Sequence, residues 1–161
     1  MTTLSVCHII GDYGYGGISK FVHDLATHSS QCFNVTVICR RIVRQMEHQY
    51  NLVEIKPNTT LDYWVKIKKC LDAYDIIHVH DIYALPLVVN CHLKVIYTHH
   101  GIVPMKYNLL EDIPSTLFAI TCAKYAIPKA HISVGVSGYS AQELKHRYNA
   151  KHVEQIYNSI P

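Results

Sequence analysis

The residues able to do chemistry gather at a few points. Twelve histidines fall in 161 residues, so their placement is the first thing to read. His78 and His80 alternate in Asp75-Ile-Ile-His-Val-His80, with Asp81 next, and His99-His100 run into Gly101. Imidazoles beside a carboxylate can hydrogen-bond a polar ligand, carry protons or hold a metal. The second concentration is Gly11-Asp-Tyr-Gly14-Tyr-Gly16-Gly17-Ile-Ser-Lys20. Glycines there let backbone approach a ligand, and a following helix presents unpaired N–H groups and partial positive charge to an anion.

Sharper motifs can be tested against both. A P-loop needs lysine directly after its last glycine, and Gly16 is followed by Gly17 and Ile18. A dinucleotide fingerprint read from Gly14 finds Gly16, then Ser19 where the third glycine belongs. Arg40 and Arg41, after the second expected strand, could hold a 2′-phosphate and keep an NADP-binding oxidoreductase as an alternative. A metal could draw on His80, Asp81 and one of His99 or His100, but the spacing fits no zinc pattern, so no metal is expected. Hydrogen bonding at a cleft is the reading for His80 and His100, and a structural role for His78. Ser137, in Val136-Ser-Gly-Tyr-Ser140, lies in no nucleophile elbow and reads as the start of a helix. Six cysteines stand singly without a C-x-x-C pair, as reduced core residues.

The elements that must position these groups follow from hydrophobic periodicity. Strands are expected at residues 4–10, 34–39, 52–55, 76–80, 94–99, 131–136 and 152–156. Helices are expected at 18–29, 59–73, 114–127 and 140–148, the last opened by the spacing of Ser140-Ala-Gln-Glu143, with a short one at 82–90 interrupted by Pro86. The alternation predicts one α/β domain over residues 1–161: a Rossmann-like three-layer sandwich with a mostly parallel sheet of about six to seven strands. In such sheets ligands bind beyond the strands' carboxyl ends, where the glycine loop, His80-Asp81 and His99-His100-Gly101 all fall.

Hydrophobic residues at 49% and charged ones at 17% fit a compact domain with some apolar surface kept for a partner. A formal charge of +3 is too small to argue for nucleic acid, and none is expected as a partner. No run approaches the ~18 apolar residues of a membrane span. Met1-Thr2-Thr3 leads straight into a strand, so the expected location is cytoplasmic. Lys66, Lys68 and Lys69 share a helix with Trp64, which allows peripheral contact at the inner membrane face. The alternative is a core-facing helix with a solvated lysine side.

Taken in order, several segments resemble the N-terminal domain of a family 4, GT-B-fold retaining glycosyltransferase. They are Gly16-Gly17-Ile-Ser-Lys20-Phe-Val-His-Asp-Leu-Ala26, Asp75-Ile-Ile-His-Val-His80, Tyr97-Thr-His-His100-Gly101, Val134-Gly-Val-Ser137 and Ile156-Tyr-Asn-Ser-Ile-Pro161. The resemblance implies transfer of a sugar from a UDP- or GDP-sugar to an acceptor hydroxyl, with retention and no cofactor or catalytic metal. It places His100 near the transferred sugar as the catalytic candidate, and Gly16, Gly17 and Lys20 near the donor diphosphate. His80, Asp81, His99 and Tyr15 fall on the acceptor side. It further implies a C-terminal donor-binding domain, or a partner subunit, outside this chain; alone, the chain should be inactive. A glycan or lipid-linked acceptor follows, and the alternative is a non-catalytic binding or regulatory module of the same fold. Ser159 departs from the family's usual glycine. Gly16→Val is expected to abolish activity with little loss of stability.

Overall fold

The computed structural model describes residues 3–101 and 113–158. Seven strands form one sheet: β1 (Ser5–Tyr13), β2 (Asn34–Ile42), β3 (Asn51–Glu54), β4 (Ile76–Val79), β5 (Lys94–His99), β6 (Ile132–Gly135) and β7 (Val153–Gln155). Their spatial order is β3-β2-β1-β4-β5-β6-β7, and every pairing is parallel. The chain winds outward from β1 to β3, then crosses back to β4. The order therefore switches between β1 and β4, where the two carboxyl ends diverge and leave a crevice.

Among the described residues five α-helices cover the sheet: α1 (Gly16–Ser29), α2 (Thr60–Leu71), α3 (Leu85–Val88), α4 (Ile113–Ala126) and α5 (Gly138–His146). Because strand side chains alternate, each central strand feeds two cores. Cys7, Ile9, Ile38, Ile77, Val79 and Val95 meet Tyr63, Ile67 and Leu71 of α2, Leu85 of α3, Ala123 of α4 and Leu144 of α5. On the opposite face Ile10, Val35, Val37 and Cys39 meet Val22 and Ala26 of α1. Each fully buried Ile, Leu or Val in these layers contributes about 1.5–3 kcal/mol. The expected three-layer α/β fold is present, with four helices on one face and α1 on the other.

The boundaries differ from expectation in informative ways. β1 continues through Tyr13, because Asp12 and Tyr13 keep pairing with Arg41 and Ile42 of a β2 that is longer too. Arg40 and Arg41 are thus strand residues, and the glycine loop shrinks to Gly14 and Tyr15 before α1 starts at Gly16. Gly16 has φ 77, so Gly16→Val also imposes backbone strain, which corrects the expectation of little stability loss. Helix α5 opens earlier than expected. Ser137 is its N-cap and Ser140 the third residue, each side chain bonding the other's backbone N–H. Pro86 sits in the first turn of α3, where a missing N–H does no harm. Met1, Thr2 and the Ser159-Ile-Pro161 end of the last resemblance motif lie outside the described residues.

Gly135 fixes how closely α5 approaches the sheet. A Cβ there would lie 2.5 Å from the backbone N of Ala141, so the β6–α5 contact accepts only glycine.

A candidate active-site cleft

A cleft of about 430 Å³ lies at the carboxyl ends of β1, β4 and β5. One wall is the β1–α1 turn with Tyr15, Gly16 and Gly17; the other is His80, Asp81 and Tyr83; His99, His100 and Gly101 lie on the β5 side. Tyr15 is 75% exposed at the rim. It occupies the N-cap position of α1 with no side-chain hydrogen bond to the first turn. Capping is left to whatever enters the cleft, a situation suited to an anion. Instead the Ser19 hydroxyl accepts from Gly14 N at 2.6 Å, which holds the turn shut.

The opposite wall is a connected polar network. Asp81 is buried; its carboxylate accepts from the Tyr63 hydroxyl at 2.8 Å and Tyr83 N at 3.0 Å. Burial raises its pKa above the ordinary aspartate value, against the opposing pull of those two bonds. A carboxylate kept in so costly a position is a functional candidate. His80 Nδ1 shares a hydrogen bond with His100 Nε2 at 3.0 Å, and His80 Nε2 faces His8 Nδ1 at 3.4 Å. Phe21 of α1 packs edge-on against both His80 and His100. Burial lowers the pKa of His100 to about 4 and that of His80 well below the usual imidazole range, the latter with help from neighbouring rings. Both rings are neutral at physiological pH and act as hydrogen-bonding groups, not cations.

His99 has a different posture. Its Nε2–H donates to Glu143 Oε2 at 2.9 Å, and its Nδ1 accepts from the Tyr97 hydroxyl at 3.3 Å. Glu143 also accepts from Arg147 at 2.6 Å. This clamp ties the end of β5 to α5, so His99 supports the cleft floor.

Of the residues marked in the sequence, Tyr15, Gly16, Gly17, His80, Asp81, His99 and His100 come together around one cleft. Lys20 does not join them. It lies on the exposed side of α1, paired with Asp24 at 2.9 Å in a separate depression. Its i, i+4 spacing to an aspartate ties it to its own helix. Arg41 bonds Asp12 at 2.8 Å and Arg40 approaches it at 3.5 Å, so the arginines of the alternative 2′-phosphate reading have an intramolecular partner. Trp64 donates to the Tyr83 carbonyl at 2.8 Å and packs on Phe118. Leu61 and Val65 are the exposed apolar residues of that helix, beside exposed Lys68 and Lys69.

Sequence reasoning missed His8, Tyr63 and Glu143. His8 is a polar residue within an apolar strand run, a signal visible in the sequence, but its partner His78 is 70 residues away and found only through the β1–β4 register. Tyr63 carries no local signal, and Glu143, expected from its spacing to close a capping box with Ser140, instead meets His99 through tertiary packing.

A Rossmann-like half with its cleft at this switch point is the architecture of one domain of a GT-B glycosyltransferase. The glycosyltransferase family 4 profile matches residues 15–161, and the chain belongs to that family. No curated protein matches it in sequence. Among solved structures it is similar to a sucrose-phosphate synthase structure from Thermosynechococcus elongatus, with TM-score 0.67, 10% identity, and coverage of 96% of this chain and 89% of that one. It is also similar to Anabaena Alr3699/HepE in complex with UDP and glucose, with TM-score 0.67 and 14% identity over 98% of this chain and 45% of that one. A third is WaaG, a glycosyltransferase involved in lipopolysaccharide biosynthesis, with TM-score 0.66 and 10% identity over 93% and 44%. The chain thus spans under half the length of the HepE and WaaG chains. At these identities the likeness concerns the fold.

Proposed function

We propose that this domain is the acceptor-side half of a retaining glycosyltransferase that uses a nucleoside-diphosphate sugar, UDP- or GDP-linked. The observation that carries the reading is one cleft joining the uncapped first turn of α1 to the neutral His100 and the buried Asp81. Each part has a task in moving a sugar between oxygens. The first-turn N–H groups and dipole of α1 stabilise the diphosphate as it departs, and Gly16 and Gly17 let the donor come against backbone. His100 hydrogen-bonds the transferred sugar and is held by His80. Asp81 accepts from an acceptor hydroxyl, and Tyr15 offers a ring face to an acceptor sugar. Lys20, held by Asp24, is kept only as a remote contributor to donor charge.

No catalytic metal is needed in this scheme, because helix dipole and basic side chains neutralise the leaving group. Those basic side chains belong to a second, donor-binding domain or partner subunit. This domain alone therefore binds donor weakly and transfers nothing. The acceptor is a glycan, free or lipid-linked. Exposed Leu61 and Val65 beside Lys68 and Lys69 favour peripheral contact with an anionic membrane on its cytoplasmic side.

Calorimetric titration with UDP- and GDP-sugars tests the reading, on this domain alone and joined to a donor domain. Tight binding that appears only in the joined protein supports it. Equal binding by both, or by neither, points to a non-catalytic module of the same fold. Micromolar NADPH binding to the domain alone would revive the oxidoreductase alternative.

A further inference from the structure

We propose that His8, His78 and His80 form a binding site for a zinc-class divalent cation inside the sheet, behind the cleft. His78 in β4 and His80, the residue just after its end, stand two residues apart, and His8 is in register with His78 on the adjoining β1. One ring nitrogen from each lies within 4.8 Å of the other two. One histidine in a strand, another just past its end and a third from the neighbouring strand give three imidazoles, the donor set of one well-known type of zinc site.

Two details favour a cation over a plain hydrogen-bonded cluster. First, His8 Nδ1 and His80 Nε2 are 3.4 Å apart, long for a hydrogen bond. A tetrahedral zinc with bonds of about 2.0–2.1 Å sets its ligand atoms roughly 3.3–3.4 Å apart. Second, the outward nitrogens of His78 and His80 already have partners, as ligand histidines require. His78 Nε2 meets the Thr98 hydroxyl at 2.7 Å and His80 Nδ1 meets His100 Nε2 at 3.0 Å. Each ring can then turn a lone pair inward. The ring centroids are 5.1 Å (His8–His78), 5.7 Å (His8–His80) and 4.2 Å (His78–His80) apart, so only small ring rotations bring the nitrogens together. Burial keeps these imidazoles unprotonated and available as ligands. His78 is partly exposed, which gives a cation a route from solvent.

The bound cation ties β1 to β4 and, through His80, fixes the ring of His100. Metal binding is read without donor or acceptor present, so the site is tested separately from the transfer chemistry.

The test uses the whole chain, stripped with chelator and titrated with Co²⁺ and Zn²⁺. One equivalent of Co²⁺ binds with the visible bands of four-coordinate cobalt, and Zn²⁺ displaces it and raises the melting temperature. Zinc-edge X-ray absorption of the loaded protein shows about three imidazole nitrogens at ~2.0–2.1 Å and no sulfur shell near ~2.3 Å. His8→Phe weakens Co²⁺ binding by about 100-fold or more, while His146→Gln, an exposed histidine, leaves it unchanged. If His8→Phe does not fold, X-ray absorption on the unaltered chain decides. A sulfur shell, fewer than two imidazoles, or no stoichiometric binding overturns the proposal.

Discussion

Glu143→Gln probes how the cleft floor is held. Glu143 is 7% exposed, with His99 donating at 2.9 Å and Arg147 at 2.6 Å. Glutamine keeps the shape and one acceptor oxygen but loses the charge and one charge-assisted bond. Such bonds contribute about 1.5–3 kcal/mol, so the variant should lose roughly 2 kcal/mol. For a domain of this size that is a fall of about 4–8 °C in melting temperature. The loss has a pH signature. Burial pushes the Glu143 carboxyl up, but the bonds and charges of His99 and Arg147 outweigh it and leave its pKa below the ordinary glutamate value. A depressed folded pKa stabilises fully above the unfolded value of about 4.3, and this contribution fades as pH falls through the folded value. Thermal melts followed by circular dichroism from neutral pH into acid should therefore show a gap widest near neutrality and closing in acid. A gap absent at neutral pH, or constant into acid, refutes the clamp.

Three other substitutions have definite expectations. Gly135→Ala forces a Cβ against the α5 backbone and should cost about 1–3 kcal/mol, read as a lower melting temperature. Gly17→Ala meets no atom within 4 Å and sits in the first turn of α1. The fold should hold or gain up to about 1 kcal/mol, while donor binding by the two-domain enzyme weakens, measured by calorimetry on the same samples. Tyr63→Phe leaves Asp81 with only the Tyr83 amide as partner and should destabilise by about 1–3 kcal/mol, with a raised KM for acceptor in the complete enzyme.

Most of the fold was legible because parallel strands write their burial directly into apolar runs. The strand of residues 94–99 is seen where expected. What periodicity could not show was where pairing stops: Asp12, Arg40 and Arg41 look like loop residues, yet their backbones stay in the ladder. The cleft's glycines, Asp81 and His100 were legible because they sit at strand ends, where an α/β fold places ligands. Lys20 lies outside the cleft, paired with Asp24, because proximity in sequence to a glycine pair says nothing of the helix face a residue occupies. His8 and Glu143 were hidden for the opposite reason. Their roles depend on partners 70 and 44 residues distant, which only β1–β4 register and α5 docking bring near.

Sugar transfer itself is the decisive measurement. The domain alone, and the same domain joined to a donor-binding domain, would be given labelled UDP- and GDP-sugars with membrane-derived and soluble glycan acceptors. Labelled product is expected from the joined protein only, with a steep loss of it in His100→Ala and the melting temperature little changed. Product formed by the isolated domain, or undiminished transfer after His100→Ala, would contradict it.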